Sequence, residues 1–136
     1  MAMDVEQLVT ELIDCAREVR RHLKQGFEER VYKNAMFIEL VQRGINVRTE
    51  AAYDVRYKGE LVGHYRADMV AENAVVLELK AIRELSIANE VQLVNYLNAS
   101  GIDHGLLINF GGDLLVVKRK YRVYRPSHFV DDIVQE

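Results

Sequence analysis

A chain of 136 residues that is 49% hydrophobic and 29% charged has the size and composition of one globular domain able to bury its own core. Nothing in it approaches the roughly 18 consecutive apolar residues needed to cross a bilayer, and its acidic, amphipathic start is not a secretory signal. The single cysteine, Cys15, excludes an internal disulfide and a Cys/His zinc site, so a cytoplasmic protein is expected, while the net charge of −3 argues against one that coats nucleic acid by bulk electrostatics.

Residues 4–24 are predicted to form a helix, because Leu8, Leu12, Ile13, Ala16, Val19 and Leu23 recur at spacings of three and four. Its long apolar stripe suits either a cover for a sheet or a dimer face, and Cys15 reads as a small core residue on it. Gly26 breaks the pattern. A second helix is expected over residues 28–43, with Val31, Ala35, Ile38, Leu40 and Val41 apolar and Gly44 closing it. Glu29 and Tyr32 lie on neighbouring turns of one face of this helix.

The period then falls to two. Tyr53, Val55 and Tyr57 alternate with polar residues, Lys58, Gly59 and Glu60 make a turn, and Leu61 begins a longer strand. If that strand is regular, Val62, His64, Arg66, Asp68 and Val70 share one face, with Tyr65, Ala67 and Met69 on the other. A turn at residues 72–74 leads to a strand over residues 75–81, with Val76, Glu78 and Lys80 on one face. Asp68 and Glu78 are therefore expected to meet on adjacent antiparallel strands.

Helical spacing returns over residues 86–100, with Ser86 placed to cap and Gly101 to end the helix. Leu93, Val94 and Leu97 form its apolar side, and Asn89, Gln92 and Tyr96 a polar stripe. The run from Gly105 to Phe110 is continuously apolar except for Asn109, as in a strand covered on both faces. Residues 111–113 turn the chain into a last strand over about residues 114–124, and Pro126 is expected to end regular structure. A strand, a helix and a covered strand in succession imply a parallel crossover in a mixed sheet. The fold class is thus α/β, in the order α-α-β-β-β-α-β-β, with residues 1–125 as one domain and residues 126–136 as a C-terminal tail. Lys118, Arg119, Lys120, Arg122 and Arg125 fall within eight residues that hold no acid. They read either as the positive guard of an edge strand or as a strip that contacts phosphate.

Charges within strands are costly to bury unless they pair with one another or with a metal. Hydrolysis of a phosphodiester calls for a divalent ion that neutralises the phosphate and activates water, and Mg²⁺ prefers one or two carboxylates with waters or phosphate oxygens besides. Asp68 and Glu78 are suitable ligands. Lys80 shares their face and could orient the attacking water or stabilise developing charge. Glu29 and Gln92 could approach from the two flanking helices. An internally paired polar face, with Lys80 neutralising Asp68 or Glu78, accounts for the same residues.

Gly26, Glu29 and Tyr32 match the pattern that names the GxxExxY proteins, and several later segments resemble that family in order: residues 65–68 (YRAD), 77–81 (LELKA), 92–97 (QLVNYL) and 105–111 (GLLINFG). The resemblance spans about residues 12–120. The family is placed in the PD-(D/E)xK nuclease superfamily, which implies a restriction-endonuclease-like core: a mixed sheet flanked by helices. By position it implies that Asp68 and Glu78 bind metal with help from the Leu79 carbonyl, that Lys80 is the motif lysine, and that Glu29 is the acidic residue of the first core helix. Gln92 and Tyr96 would be the motif on the helix after the active strand, with Tyr32 and His64 in support. Ala67 stands where the motif's proline is expected, which changes no ligand.

The implied function is a nuclease that uses Mg²⁺, with Mn²⁺ able to substitute, to cut phosphodiester bonds in DNA or RNA. A catalytically silent module that binds nucleic acid or protein is the alternative. Nucleic acid is the expected partner, no membrane is involved, and double-strand cleavage would call for a homodimer.

Overall fold

The structure, a computed structural model, describes residues 3–122 and the backbone of residues 132–135. Helix α1 (Val5–Leu23) starts at a reciprocal cap: the Asp4 carboxylate accepts from the Gln7 N–H at 2.8 Å, and the Gln7 side chain accepts from the Asp4 N–H at 3.0 Å. Helix α2 (Glu29–Gln42) follows after a short loop in which Gly26 takes a φ of +119°, a region that side chains disfavour. Strands β1 (Val47–Tyr57) and β2 (Glu60–Ala71) form a long antiparallel hairpin, and β3 (Val75–Lys80) pairs antiparallel with the end of β2. Helix α3 (Ile87–Ser100) is capped by Ser86 in a box with Asn89, and Gly101 ends it in the left-handed conformation. It carries the chain over to β4 (His104–Asn109), parallel to β3. Strand β5 (Leu115–Tyr121) then runs antiparallel to β4.

The sheet order is β1-β2-β3-β4-β5-β6, all antiparallel except for the β3–β4 pair, and the α/β class and element order expected from the sequence are present. Strand β6 (Asp132–Gln135) is an addition, pairing antiparallel with β5. Regular structure therefore resumes within residues 126–136, which the sequence suggested to be a tail. Pro126 and Arg125 lie outside the described residues. Among the described residues no helix is long and apolar enough to cross a membrane.

Two cores sandwich the sheet. On one face Leu8, Leu12, Ala16 and Val19 of α1 and Met36 and Leu40 of α2 pack on Met69, Leu77, Leu79, Leu106 and Ile108. On the other, Leu93, Tyr96 and Leu97 of α3 pack on Ala51, Ala67, Val70, Val76 and Leu107. The apolar stripe of α1 is therefore consumed by the sheet and is not left over for a dimer face. Cys15 is wholly buried, and burial pushes its thiol up to about 12, so it is a core residue and not a nucleophile.

Strand β5 is not the guarded edge that its charges suggested, since β6 covers it. Its cations are tied down alternately to the two helical layers. Arg119 forms a bidentate pair with Glu6 on α1 (2.7 and 2.7 Å), and Lys118 and Lys120 converge on Glu90 of α3 (3.4 and 2.6 Å). Arg122 pairs with Asp103 at 2.8 Å. Each of these four is held by an acid remote in sequence, which disfavours a strip reserved for phosphate.

The turn after β4 fixes the end of β3. Asn109, 1% exposed, accepts from the Ile82 and Gly111 N–H groups (3.0 and 3.1 Å) and donates to the Ile82 carbonyl (2.8 Å). Buried Arg20 donates to the carbonyls of Phe110, Gly112 and Asp113. Gly111 lies so close to the chain beyond β3 that a Cβ there would stand 2.4 Å from the Ala81 carbonyl carbon and the Ile82 nitrogen. Gly111→Ala must displace backbone and is expected to destabilise the fold by roughly 1–3 kcal/mol. Gly112→Ala, whose nearest contact would be 3.2 Å, should be milder. Urea denaturation of the two variants checks the order.

Candidate active site

The site forms where β2 and β3 part. Their ladder ends with Met69 opposite Leu77, and one step further in the same register Asp68 faces Glu78. Here side chains replace the ladder bonds. The Asp68 N–H donates to Glu78 Oε1 at 3.0 Å, and the Leu79 N–H donates to Asp68 Oδ2 at 2.8 Å. The sequence expectation that these carboxylates meet is met in this reciprocal form.

The alternation of β2 is not regular, however. Ala67 and Val70 pack together on the α3 side, whereas Met69 lies on the α1–α2 side. The break coincides with Glu50 on β1, which takes a φ of +50° between Thr49 (opposite Met69) and Ala51 (opposite Ala67). Val47 and Ala51 likewise pack in different cores, so both strands change face at this point. Asp68 is thereby set at the turn-over, within reach of α2. His64, grouped with Asp68 by simple alternation, instead lies exposed and pairs with Asp54 on β1 at 2.6 Å.

Helix α2 supplies a residue that the sequence reading passed over. The Lys33 Nζ lies 2.8 Å from Asp68 Oδ1 and 3.0 Å from Glu29 Oε2. Burial works against its charge, but hydrogen bonds to both carboxylates outweigh that and hold its pKa above the ordinary lysine value. The signal was present as a four-residue spacing from Glu29. Glu29 is thus joined to Asp68 through an ammonium group. Tyr32 does not enter the site. It is wholly buried, donates its hydroxyl to the Lys24 carbonyl at 2.6 Å, accepts from the Phe27 N–H and stacks on Phe110 at 4.7 Å. Its work is to shape the loop around Gly26 that aims Glu29 and Lys33.

Glu78 is 6% exposed, and burial together with the neighbouring Asp68 charge pushes its carboxyl up to about 7. The Asp68 N–H and the charges of Lys80 and Lys33 act in the opposite direction. Lys80, half-buried at the end of β3, forms no ion pair among the described residues. From α3, Tyr96 is 2% exposed, and its hydroxyl has no hydrogen-bond partner among the described residues, although it feels the charges of Arg48 and Glu78. The polar stripe expected on α3 does not hold together. Asn89 is used in the cap, Gln92 is exposed without a bond to Asp68, Glu78 or Lys80, and Tyr96 is buried.

A family model of the PD-(D/E)XK nuclease superfamily matches residues 6–122. The chain belongs to that superfamily. The fold agrees: a solved structure described as the crystal structure of SSO0001 superposes with a TM-score of 0.52 at 21% identity, over 86% of this chain and 67% of that one. No curated protein matches the sequence.

Such nucleases generally work with a divalent metal, and the residues present fit one in character. Asp68, Glu78 and the Leu79 carbonyl are hard oxygen donors, few enough to leave positions for water or phosphate, as Mg²⁺ prefers. Among the described residues no group of three or more Asp, Glu, His or Cys is placed to hold a metal ion by itself, so an ion here would rest on two carboxylates. Glu78 is buried beside the Asp68 charge, and the Tyr96 hydroxyl has no hydrogen-bond partner among the described residues.

Two outcomes follow. Because the Glu78 pKa is raised from 4.5 to about 7 on folding, its contribution to stability is full below pH 4.5 and lost as pH rises through 7. Metal-free wild type should therefore lose on the order of 3 kcal/mol relative to Glu78→Gln between those limits, measurable by denaturant titration in chelator. Tyr32→Phe keeps the stack on Phe110 but loses two hydrogen bonds, and should lower stability by about 1–2 kcal/mol in thermal melts without altering metal affinity.

Proposed function

We propose that the protein is a divalent-metal-dependent nuclease that hydrolyses phosphodiester bonds in DNA or RNA. The observation that carries this reading is the meeting of the Asp68 and Glu78 carboxylates at the end of the β2–β3 ladder, held by the Leu79 and Asp68 N–H groups, beside a Lys80 with no ion pair among the described residues. Mg²⁺, or Mn²⁺ in its place, would be held by Asp68, Glu78 and the Leu79 carbonyl. The bound ion would supply neutralisation of the phosphate and a more acidic water.

The remaining steps belong to the chain's own groups. The Asp68 and Glu78 carboxylates are fixed by main-chain N–H donors, so their orientation is set before substrate arrives. Lys80, whose ammonium group has no ion pair among the described residues, can hold the attacking water or the non-bridging phosphate oxygen as negative charge grows. The buried Tyr96 hydroxyl, which has no hydrogen-bond partner among the described residues, feels the Glu78 charge and is a candidate donor toward it. Glu29 acts through Lys33 on Asp68, and exposed Gln92 would meet substrate at the α3 side. The match of Gly26, Glu29 and Tyr32 to the GxxExxY pattern supports placing the chain in that branch of the superfamily.

A cytoplasmic location is part of this reading. So is the need for two copies in double-strand cleavage, with a dimer face elsewhere than on α1. A silent binding module is the second reading, favoured by the fact that Asp68 already has a partner on each oxygen.

Purified protein with Mg²⁺ or Mn²⁺ should cleave members of a panel of single- and double-stranded DNA and RNA. Asp68→Ala and Lys80→Ala should each reduce the rate by on the order of 10²–10³-fold. Cleavage that persists in both variants would contradict the assignment, and calorimetry without a heat of metal binding at millimolar Mg²⁺ would support the silent module.

A further inference from the structure

The two lysines of the site are used differently. Lys80 makes no ion pair among the described residues, whereas Lys33 is held between two carboxylates from different elements, Glu29 on α2 and Asp68 on β2. A helical Glu-Lys pair four residues apart is an ordinary surface device worth a few tenths of a kcal/mol, and it explains the contact with Glu29. It does not explain why the ammonium group also reaches across to Asp68, whose side chain is 13% exposed, at the better distance of 2.8 Å. An ammonium group bridging two carboxylates is placed as a bridging cation would be.

We propose that Lys33 occupies the second cation position of this site, so that the protein takes one divalent ion, on the Asp68–Glu78 side, where nucleases of the two-metal kind take two. The inference rests on the reading of Asp68 and Glu78 as metal ligands. Charge supports it. Glu29, Asp68 and, when ionised, Glu78 stand against Lys33 and Lys80, leaving at most a single negative charge over. One divalent ion offsets that charge, and a second would overload a half-buried site with positive charge. With Lys33 neutralised, the deficit grows by one and the Glu29–Asp68 position falls open to a cation. Lys33 is thus a positioning residue: it orients Asp68 through Oδ1 while the Leu79 N–H holds Oδ2, and it fixes the number of ions.

The test is the stoichiometry of Mn²⁺ binding to the full chain, read by electron paramagnetic resonance and calorimetry. Wild type and Lys33→Arg should bind one ion per chain. Lys33→Met should bind two, with the spectral broadening of a coupled pair, and Lys33→Met with Glu29→Gln should return to one, because the second ion needs Glu29. Lys33→Gln, which keeps a donor for both carboxylates but not the charge, serves if the methionine variant does not fold. A single ion with wild-type affinity in the folded, uncharged variants would overturn the proposal while leaving the Asp68–Glu78 site intact. Absence of Mn²⁺ binding in wild type, or binding that Asp68→Ala leaves unchanged, would remove the metal site itself and this proposal with it.

Discussion

Two hydrogen bonds at the parting of β2 and β3 govern the rest of the structure. Antiparallel strands normally continue until one ends, but here the ladder stops at Met69 and Leu77 while β2 runs on. The next two N–H groups, of Asp68 and Leu79, are satisfied by carboxylates. That exchange keeps the buried main chain paired and brings two negative charges together. Everything nearby offsets the consequence. Lys33 and Lys80 supply positive charge and the Asp68 N–H favours the ionised Glu78, but burial and then the Asp68 charge still raise the Glu78 pKa.

The surroundings hold this arrangement rigid. Asn109, Gly111 and Arg20 clamp the chain just beyond Lys80 to the turn after β4, so the end of β3 cannot shift without breaking several buried contacts. Tyr32 does the same for the α1–α2 loop, and through it for Glu29 and Lys33. Helix and sheet thus place Glu29, Lys33 and Asp68 within hydrogen-bond reach and set Glu78 beside them, on regular structure and not on loops.

How much of this was legible in the sequence depended on how local the cause was. The helices, the crossover and the meeting of Asp68 with Glu78 follow from periodicity and from counting along a hairpin. The change of face at Asp68 does not, because it depends on the positive φ of Glu50 on the neighbouring strand. The pairing of His64 with Asp54 on the neighbouring strand is likewise not visible from alternation along β2. Tyr32 looked like a site residue because it sits in a motif with Glu29, yet its hydroxyl serves the loop before the helix. Lys33 went unseen because a four-residue Glu-Lys spacing is common on helices, and only the third partner, Asp68, sets it apart. Strand β6 follows a proline, and a short strand added at an edge carries little signal of its own.

The central claim is that Asp68 and Glu78 share one ion. Anomalous scattering from a crystal grown with Mn²⁺ tests it most directly. A single peak about 2.0–2.5 Å from a carboxylate oxygen of each residue, with the Leu79 carbonyl turned toward it, is the predicted result. A peak placed on other residues, or a site that stays free of metal at saturating Mn²⁺, would contradict the account.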